Sequence, residues 1–92
     1  MLPASFYFMG VTGIHPEAGL STGDYEEAQV KRALCQSAAE TIVLASHEKL
    51  GAASPYVITR LHEISSLIVG HAVPEEQLTP YRKLGLTIIR AQ

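Results

Sequence analysis

The sequence MGVTGIHPEAGLSTGDYEEAQVKRALCQSAAETIVLASHEKL, residues 9–50, decides the fold. It holds the end of an apolar strand, a glycine-rich loop, a helix, a second apolar strand and a lysine. The loop at residues 10–23 contains four glycines and one proline. It is longer than the two to six residues that usually connect a strand to a helix, and long ordered loops are usually functional. We therefore expect the chemistry in this loop and in the lysines near it.

Local patterns on either side of the loop predict a strand and a helix. The run SFYFMGV, residues 5–11, lacks polar alternation, which is typical of a strand covered on both faces. Asp24 can cap a helix that runs to about Ala39, with Glu27 three residues on as in a capping box. Glu27 and Lys31 stand one turn apart on one side of this helix. The stripe that we predict to face the core consists of Val30, Ala33, Leu34, Ser37 and Ala38.

The rest of the chain continues the alternation of strands and helices. Residues 41–46, 65–70 and 86–91 read as further apolar strands, and residues 57–64 are ambiguous between a short strand and a helical turn. The segment after Pro74 predicts a helix that kinks or restarts at Thr79, before Pro80, and ends at Gly85. The fold class is therefore α/β, a mainly parallel sheet of about four strands with helices on its faces, in one domain over residues 1–92. Ligands bind beyond the carboxyl ends of such strands, which are the Gly10 loop and the turns at residues 46–49 and 70–71.

Composition narrows the class of protein. The chain has 92 residues, of which 47% are hydrophobic and 17% charged, as in a globular domain. No run of eighteen apolar residues occurs, so we expect no membrane association and a cytoplasmic location. Four histidines without ligand spacing argue against a metal site, and we expect no cofactor. The single cysteine, Cys35, has the position of a small packing residue.

The loop and the lysines supply the candidate binding residues. The glycines match neither a dinucleotide fingerprint nor a P-loop, although backbone amides could still contact a phosphate or sugar. The alternative is that they only serve tight turns. Thr12, Ser21 and Thr22 could bind a polyol or cap turns, Glu27 and Lys31 could form a surface pair, and Lys49 could reach the mouth of the sheet or remain solvated. The candidate effector-binding residues are Gly10, Thr12, Gly13, Gly19, Ser21, Thr22, Glu27, Lys31 and Lys49.

The order of these motifs resembles the C-terminal sensor domain of DeoR-type bacterial transcriptional repressors. The family pattern has a strand ending in Phe-Leu-Gly, a Gly-Ile loop closing with Gly-Leu-Thr-Thr, Glu-Ala-x-x-Lys on a helix, and Lys-Phe-Gly after the next strand. The chain matches it in four places: FMG at residues 8–10, GI and GLST at 13–14 and 19–22, EA with Lys31 at 27–31, and KLG at 49–51. Ser5, Ser46 and Gly70 stand where the family has aspartates, which changes the charge and the hydroxyl recognition at the strand ends.

The resemblance implies a fold similar to part of ribose-5-phosphate isomerase and the CoA transferases, used to sense a phosphorylated sugar or similar anion. It also implies that the chain is a fragment, whose parent contacts DNA through an N-terminal helix-turn-helix. Our first hypothesis is accordingly a binding module rather than an enzyme. The alternatives are a sugar-phosphate isomerase with Glu27 as general base and a lysine as electrophile, or an oligomerisation module, since half a sheet exposes an edge. We expect a homo-oligomer.

We predict little affinity of this chain for duplex DNA. Seven Lys and Arg residues against nine Asp and Glu give a net charge of -2, which does not supply the basic surface that phosphate contacts need. Electrophoretic mobility shift at low salt checks this. Tight, salt-sensitive binding would contradict the assignment of these residues to a sensor domain.

Overall fold

A parallel sheet forms the centre of the structure, a computed structural model that describes residues 6–91. The elements in chain order are β1 (Phe6–Gly10), β2 (Gly13–His15), β3 (Gly19–Thr22), α1 (Tyr25–Ser37), β4 (Glu40–Ala45), β5 (Tyr56–Thr59), β6 (Ser66–Gly70), α2 (Glu75–Lys83) and β7 (Thr87–Ala91). The sheet has the order β1-β4-β6-β7, and all its neighbouring strands are parallel. The α/β class and its four strands are therefore confirmed. Ser5, predicted as the start of β1, lies outside the described residues.

The segment at residues 10–23, predicted as a loop, contains a β-hairpin. Strands β2 and β3 pair antiparallel, and β5 adds to β3 to make a second, three-stranded sheet. The turn between β2 and β3 closes on His15, whose Nδ1 accepts from the N–H groups of Glu17 and Ala18 at 3.1 Å. Gly19 has φ +85°, and a Cβ there would lie 2.6 Å from the carbonyl oxygen of Thr59. Only glycine allows β3 to approach β5 so closely.

Helix α1 begins as predicted but packs on a different face. The Asp24 side chain accepts from the Glu27 N–H at 3.0 Å, which confirms the cap. The residues that α1 buries are Ala28 and Cys35, whereas Val30 and Leu34 of the predicted core stripe are 58% and 47% exposed. The prediction of that stripe is wrong.

The second sheet explains this orientation of α1. The Arg32 guanidinium donates to the carbonyl oxygens of Ile58 and Val57, both at 2.8 Å, and so ties one side of α1 to β5. A long side chain that donates to backbone oxygens of a strand can fix which side of a helix faces that strand. The spacing of apolar residues along the helix does not predict this contact. The ambiguous residues 57–64 resolve into part of β5 followed by a 3-10 turn at Leu61–Glu63.

Helix α2 continues through Pro80 and does not restart at Thr79. It is followed by Gly85, which has φ +86° and lets the chain turn back toward β7. Leu78 and Tyr81 are the residues that α2 buries.

The core lies on one side of the parallel sheet. Met9, Val43 and Leu67 point to that side and are completely buried, in one cluster with residues of both helices and of the second sheet. On the other side Phe6 and Phe8 are exposed. The prediction that β1 is covered on both faces therefore does not hold within residues 6–91.

The Tyr81 hydroxyl connects three segments that are distant in the sequence: α2, β2 and the turn at Gly51. Its buried hydroxyl donates to the carbonyl oxygen of Ile14 in β2 at 2.6 Å and accepts from the N–H of Gly51 at 2.9 Å. The same N–H also lies 2.8 Å from the Ile14 oxygen. Burial raises the pKa of Tyr81. The hydroxyl therefore fixes α2 against the hairpin and against the turn that ends at Gly51.

Arg90 of β7 holds the connection between β6 and α2. Its guanidinium donates to the carbonyl oxygens of Val73 at 2.7 Å and His71 at 3.2 Å, and to Glu75 Oε1 at 3.0 Å. Arg82 donates to the other oxygen of Glu75. These hydrogen bonds from Arg82 and Arg90 hold the pKa of the Glu75 carboxyl below its ordinary value.

We predict that Tyr81→Phe lowers the free energy of unfolding by about 1 to 2 kcal/mol, because it leaves buried backbone groups with a hydrogen bond fewer while the ring still fills its place. Urea denaturation followed by circular dichroism measures this. Tyr56→Phe, at an exposed site, is the matched control and should change stability little. An unchanged urea midpoint for Tyr81→Phe would mean that its hydroxyl does not stabilise the packing of α2 against β2 and the Gly51 turn.

We predict that the stabilisation from Glu75 disappears in acid. Because the pKa of Glu75 is lowered by folding, its contribution is complete above the unfolded value near 4.5 and is lost as the pH falls through the folded pKa. Urea midpoints of the wild type and of Glu75→Gln should therefore differ at pH 7 and approach each other as the pH falls below 4.5. Glu76→Gln, one residue along the same helical turn, serves as the control and should have the urea midpoint of the wild type at pH 7.

Candidate functional site

A cavity of about 730 Å³ opens at the carboxyl ends of the parallel strands. This is the edge of the sheet at which the sequence predicts a ligand. Apolar side chains make most of its wall, and its polar groups come from the turns that follow β4 and β6. The lining residues are Gly10, Leu44, Ala45, Ser46, His47, Lys49, Ile68, Val69, Gly70, Ala72, Val73, Pro74 and Ala91.

Lys49 supplies the cation of the cavity. It ends a 3-10 turn, His47–Lys49, that directly follows β4. The turn is held on one side by Gln77 of α2, whose Nε2 donates to the His47 carbonyl oxygen at 2.9 Å, and on the other by a bridge between Leu50 and Ile14. Among residues 6–91, the Lys49 ammonium has neither an ion pair nor a hydrogen bond. Its charge is therefore available to an anion in the cavity.

Ser46 lies in the cavity wall but bonds within its own turn. Its hydroxyl donates to Glu48 Oε1 at 2.7 Å, and this hydrogen bond is the main reason that the pKa of Glu48 is lowered. Glu48 itself does not line the cavity. A hydroxyl thus lies at the end of β4, and no negative side chain lines the cavity there.

Lys31 lies next to the cavity and does not form part of its wall. Its ammonium donates to the carbonyl oxygen of Gly10 at 2.5 Å and pairs with Glu27 at 2.7 Å, so the predicted Glu27–Lys31 pair is confirmed. Gly10 lines the cavity, whereas Lys31 and Glu27 do not. Lys31 therefore positions the end of β1. Its charge acts on the cavity only through the Gly10 backbone to which it is bonded.

The other candidate residues of the loop lie in the second sheet or directly before it, and none of them lines the cavity. Ser21 and Thr22 are buried, and Ser21 Oγ accepts from the Ser54 N–H at 2.8 Å. Thr12 Oγ1 lies 2.6 Å from Ser54 Oγ. A Cβ on Gly13 would come within 2.6 Å of the Ala52 carbonyl oxygen. Together with Gly19, these residues pack the hairpin against β5 and residues 52–54.

Sequence reasoning missed the wall that Val73 and Pro74 make, and the arginine that holds it. Arg90 bonds to the Val73 carbonyl from the neighbouring strand. The sequence feature that could have indicated this contact is the single arginine in an otherwise apolar last strand. A cation is tolerated in such a strand only where backbone or carboxylate oxygens accept its hydrogen bonds.

Two further classes of site are not found in the described part of the chain. Residues 6–91 contain no group of three His, Cys, Asp or Glu side chains that could hold a metal ion. Within the same residues, neither helix has the length and hydropathy that crossing a membrane requires. Cys35 is buried, and its Sγ lies 3.2 Å from Thr41 Oγ1, as expected of a packing residue.

Comparison with known proteins identifies the family. The pattern of the family described as DeoR C terminal sensor domain matches residues 2–71. A putative aga operon transcriptional repressor of Escherichia coli O157:H7 is 33% identical over 82 residues, which cover 89% of this chain and 30% of that protein. The HTH-type transcriptional repressor GlcR of Bacillus subtilis is 43% identical over 60 residues, 65% of this chain and 23% of that protein.

A third relative is named for a phosphorylated compound. The glycerol-3-phosphate regulon repressor of Haemophilus influenzae is 36% identical over 62 residues, which cover 67% of this chain and 23% of the relative. The chain spans less than a third of the length of each of these three proteins. The match of the family pattern to most of the sequence is decisive, and the chain belongs to the family of DeoR C-terminal sensor domains.

Proposed function

We propose that this chain is the effector-sensing portion of a DeoR-type transcription regulator in the cytoplasm. Its ligand is a phosphorylated sugar or a similar small anion, and occupancy of the site controls DNA binding by a separate segment of a longer protein. The observation that carries the proposal is the cavity at the carboxyl ends of the parallel strands with Lys49 in its wall. Family membership and the names of the relatives support the regulatory role.

The chemistry of the cavity suits an anion attached to a small carbon skeleton. Lys49 offers a point charge, and the space above Gly10 and Gly70 is open, so a phosphate can approach the backbone at both strand ends. Leu44 and Ile68 offer apolar contact for the carbon chain. The glycerol-3-phosphate regulon repressor among the relatives supports a ligand of this class.

An isomerase is supported less well. Glu27, the general base of that alternative, is paired with Lys31 and does not line the cavity. Ser46 occupies a position where a second carboxylate could have taken part in acid–base catalysis. Its hydroxyl donates a hydrogen bond to Glu48. The wall therefore lacks a carboxylate that could take a proton from a substrate, and we propose that the chain is not an enzyme.

An oligomerisation module is the second candidate function. It is favoured by the apolar side of the parallel sheet, where Phe6 and Phe8 are exposed. Leu44 lines the cavity and is also exposed on this side of the sheet, so a partner bound there would contact the cavity wall as well.

We predict that Lys49→Gln weakens anion binding at the cavity by about tenfold to a hundredfold, since a charge-assisted hydrogen bond contributes about 1.5 to 3 kcal/mol. Titration of the isotope-labelled chain with glycerol 3-phosphate, glucose 6-phosphate and inorganic phosphate, followed by amide chemical shifts, measures this. Lys83→Gln at the far end of α2 is the control and should bind like the wild type.

Two results would count against the proposed site. One is binding of uncharged glycerol as tightly as of glycerol 3-phosphate. The other is a set of shifts that avoids Gly10, residues 46–49 and Gly70 and is insensitive to Lys49→Gln.

A further inference from the structure

The turn after β4 contributes two basic side chains to the cavity wall. His47 and Lys49 both line the cavity, whereas Glu48, which lies between them in the sequence, does not. Residues 72–74, also in the wall, are uncharged, and within residues 6–91 no carboxylate lines the cavity. A histidine side chain usually gains a positive charge between about pH 8 and pH 5, whereas a lysine usually carries one throughout this range. His47 is therefore the residue of the wall whose charge can follow the pH.

The carboxylate of Glu48 is fixed beside the imidazole ring of His47 but outside the cavity wall. Ser46 Oγ donates to Glu48 Oε1 at 2.7 Å, and His47 Nδ1 lies 3.4 Å from Glu48 Oε2. The hydrogen bond from Ser46 is the main reason that the pKa of Glu48 is lowered, so this carboxylate keeps its negative charge at pH 5 and above. A proton on Nδ1 faces Glu48, and a second proton would make Nε2 a donor as well. Among residues 6–91, Nε2 of His47 has no hydrogen-bond partner.

The backbone of His47 is fixed, while its side chain remains accessible. Its carbonyl oxygen accepts from Gln77 Nε2 at 2.9 Å and from the N–H of Leu50 at 3.3 Å. The side chain is 73% exposed. A ligand in the cavity can therefore reach the ring without displacing another residue of the described chain.

The elements that contact this turn bring further titratable groups, and none of them pairs with the His47 ring. Helix α2 contacts the turn through Gln77, and its first turn carries Glu75 and Glu76. Glu75 is bonded to two arginines, and Glu76 forms no ion pair within residues 6–91. Strand β2, which is bridged to the residue after the turn, carries His15, whose Nδ1 accepts from N–H groups of its own hairpin.

We propose that His47 is a second anion-binding group of the cavity and that it makes the affinity for doubly charged anions rise as the pH falls from 8 to 5. This inference rests on the proposed function. The protonated ring donates from Nε2 to one oxygen of the anion, and Lys49 donates to another. Two cations from one short turn suit a terminal group with two charges and several acceptor oxygens, such as a phosphate monoester. The pair between His47 and Glu48 is exposed and therefore weak, so it leaves the ring free to bind.

Titration of the isotope-labelled chain with sodium sulfate at constant ionic strength, followed by amide chemical shifts, tests this. Sulfate keeps both of its charges over this pH range, whereas a phosphate monoester changes its own charge near pH 6. Any change in the affinity for sulfate therefore comes from the protein. We expect the dissociation constant to fall about threefold to tenfold between pH 8 and pH 5, a modest factor because the ring is exposed.

Two substitutions at His47 and one matched control separate the effect of this ring from that of other groups. His47→Gln should make the affinity for sulfate independent of pH. His47→Lys, whose charge persists at pH 8, should bind sulfate at pH 8 as tightly as the wild type does at pH 5. The control is His62→Gln, which should keep the pH dependence of the wild type. His62 also lies in a 3-10 turn, is 76% exposed and has a glutamate, Glu63, at 3.9 Å, but it does not line the cavity.

A second readout follows from thermodynamic linkage and needs no substitution that alters binding. If protonation of His47 strengthens sulfate binding, sulfate must favour protonation of His47 by the same factor. The ring-proton shifts of His47, followed from pH 8 to pH 5, should therefore have their midpoint at a higher pH in the presence of sulfate. The midpoint for His62 should not move. A ring that served only to hold the turn in place would show no such shift.

The possible failures distinguish this inference from the proposed function. Sulfate binding at the cavity with a pH dependence that survives His47→Gln would overturn the role of His47 and leave the proposed function intact. The same conclusion would follow from an unchanged His47 midpoint, or from glycerol 3-phosphate binding at pH 5 without sulfate binding. Absence of binding by both anions at every pH would overturn the proposed function and this inference together.

Discussion

The direction in which the chain crosses its parallel sheet constrains the rest of the structure. Every connection from β1 to β7 advances one way, and right-handed connections then lie on one side. That side receives the helices, the second sheet and all the core packing of Met9 and Leu67. The carboxyl ends of all four strands point to one edge, and the cavity opens there. The covered core, the cavity and the exposed side of the sheet at Phe6 and Phe8 all follow from this one topology.

The parts of the fold that depend on local sequence could be predicted from the sequence. Short apolar runs gave the four strands of the sheet, and Asp24 with Glu27 gave the start of α1. The hairpin could not be read in this way, because its pairing depends on a glycine that meets Thr59, forty residues along the chain. The orientation of α1 depends on Arg32 bonding to Val57 and Ile58, which lie 25 and 26 positions further along the chain. Apolar spacing alone assigned Val30 and Leu34 to the core, and both are exposed.

The residues of the candidate site also differ in whether they could be predicted from the sequence. Gly10 and Lys49 were found because the ends of parallel strands meet at one edge, which is a rule about topology rather than about motifs. Ser21 and Thr22 were selected for their hydroxyl groups, but both residues are buried in the second sheet, where Ser21 Oγ accepts from the Ser54 N–H. A glycine-rich loop does not reveal whether its glycines approach a ligand or another strand. Here Gly13 approaches the backbone of Ala52.

The hydrogen bond between Tyr81 and Ile14 has a consequence for the order of folding. It joins residues that are 67 positions apart, and contacts of such separation form late because a long loop must close first. Helix α1 can form from local contacts, whereas the turn that carries Lys49 reaches its final position only when α2 docks. During synthesis the N-terminal half therefore cannot complete its packing until α2 has been synthesised. We expect the cavity to be among the last parts of the domain to become ordered.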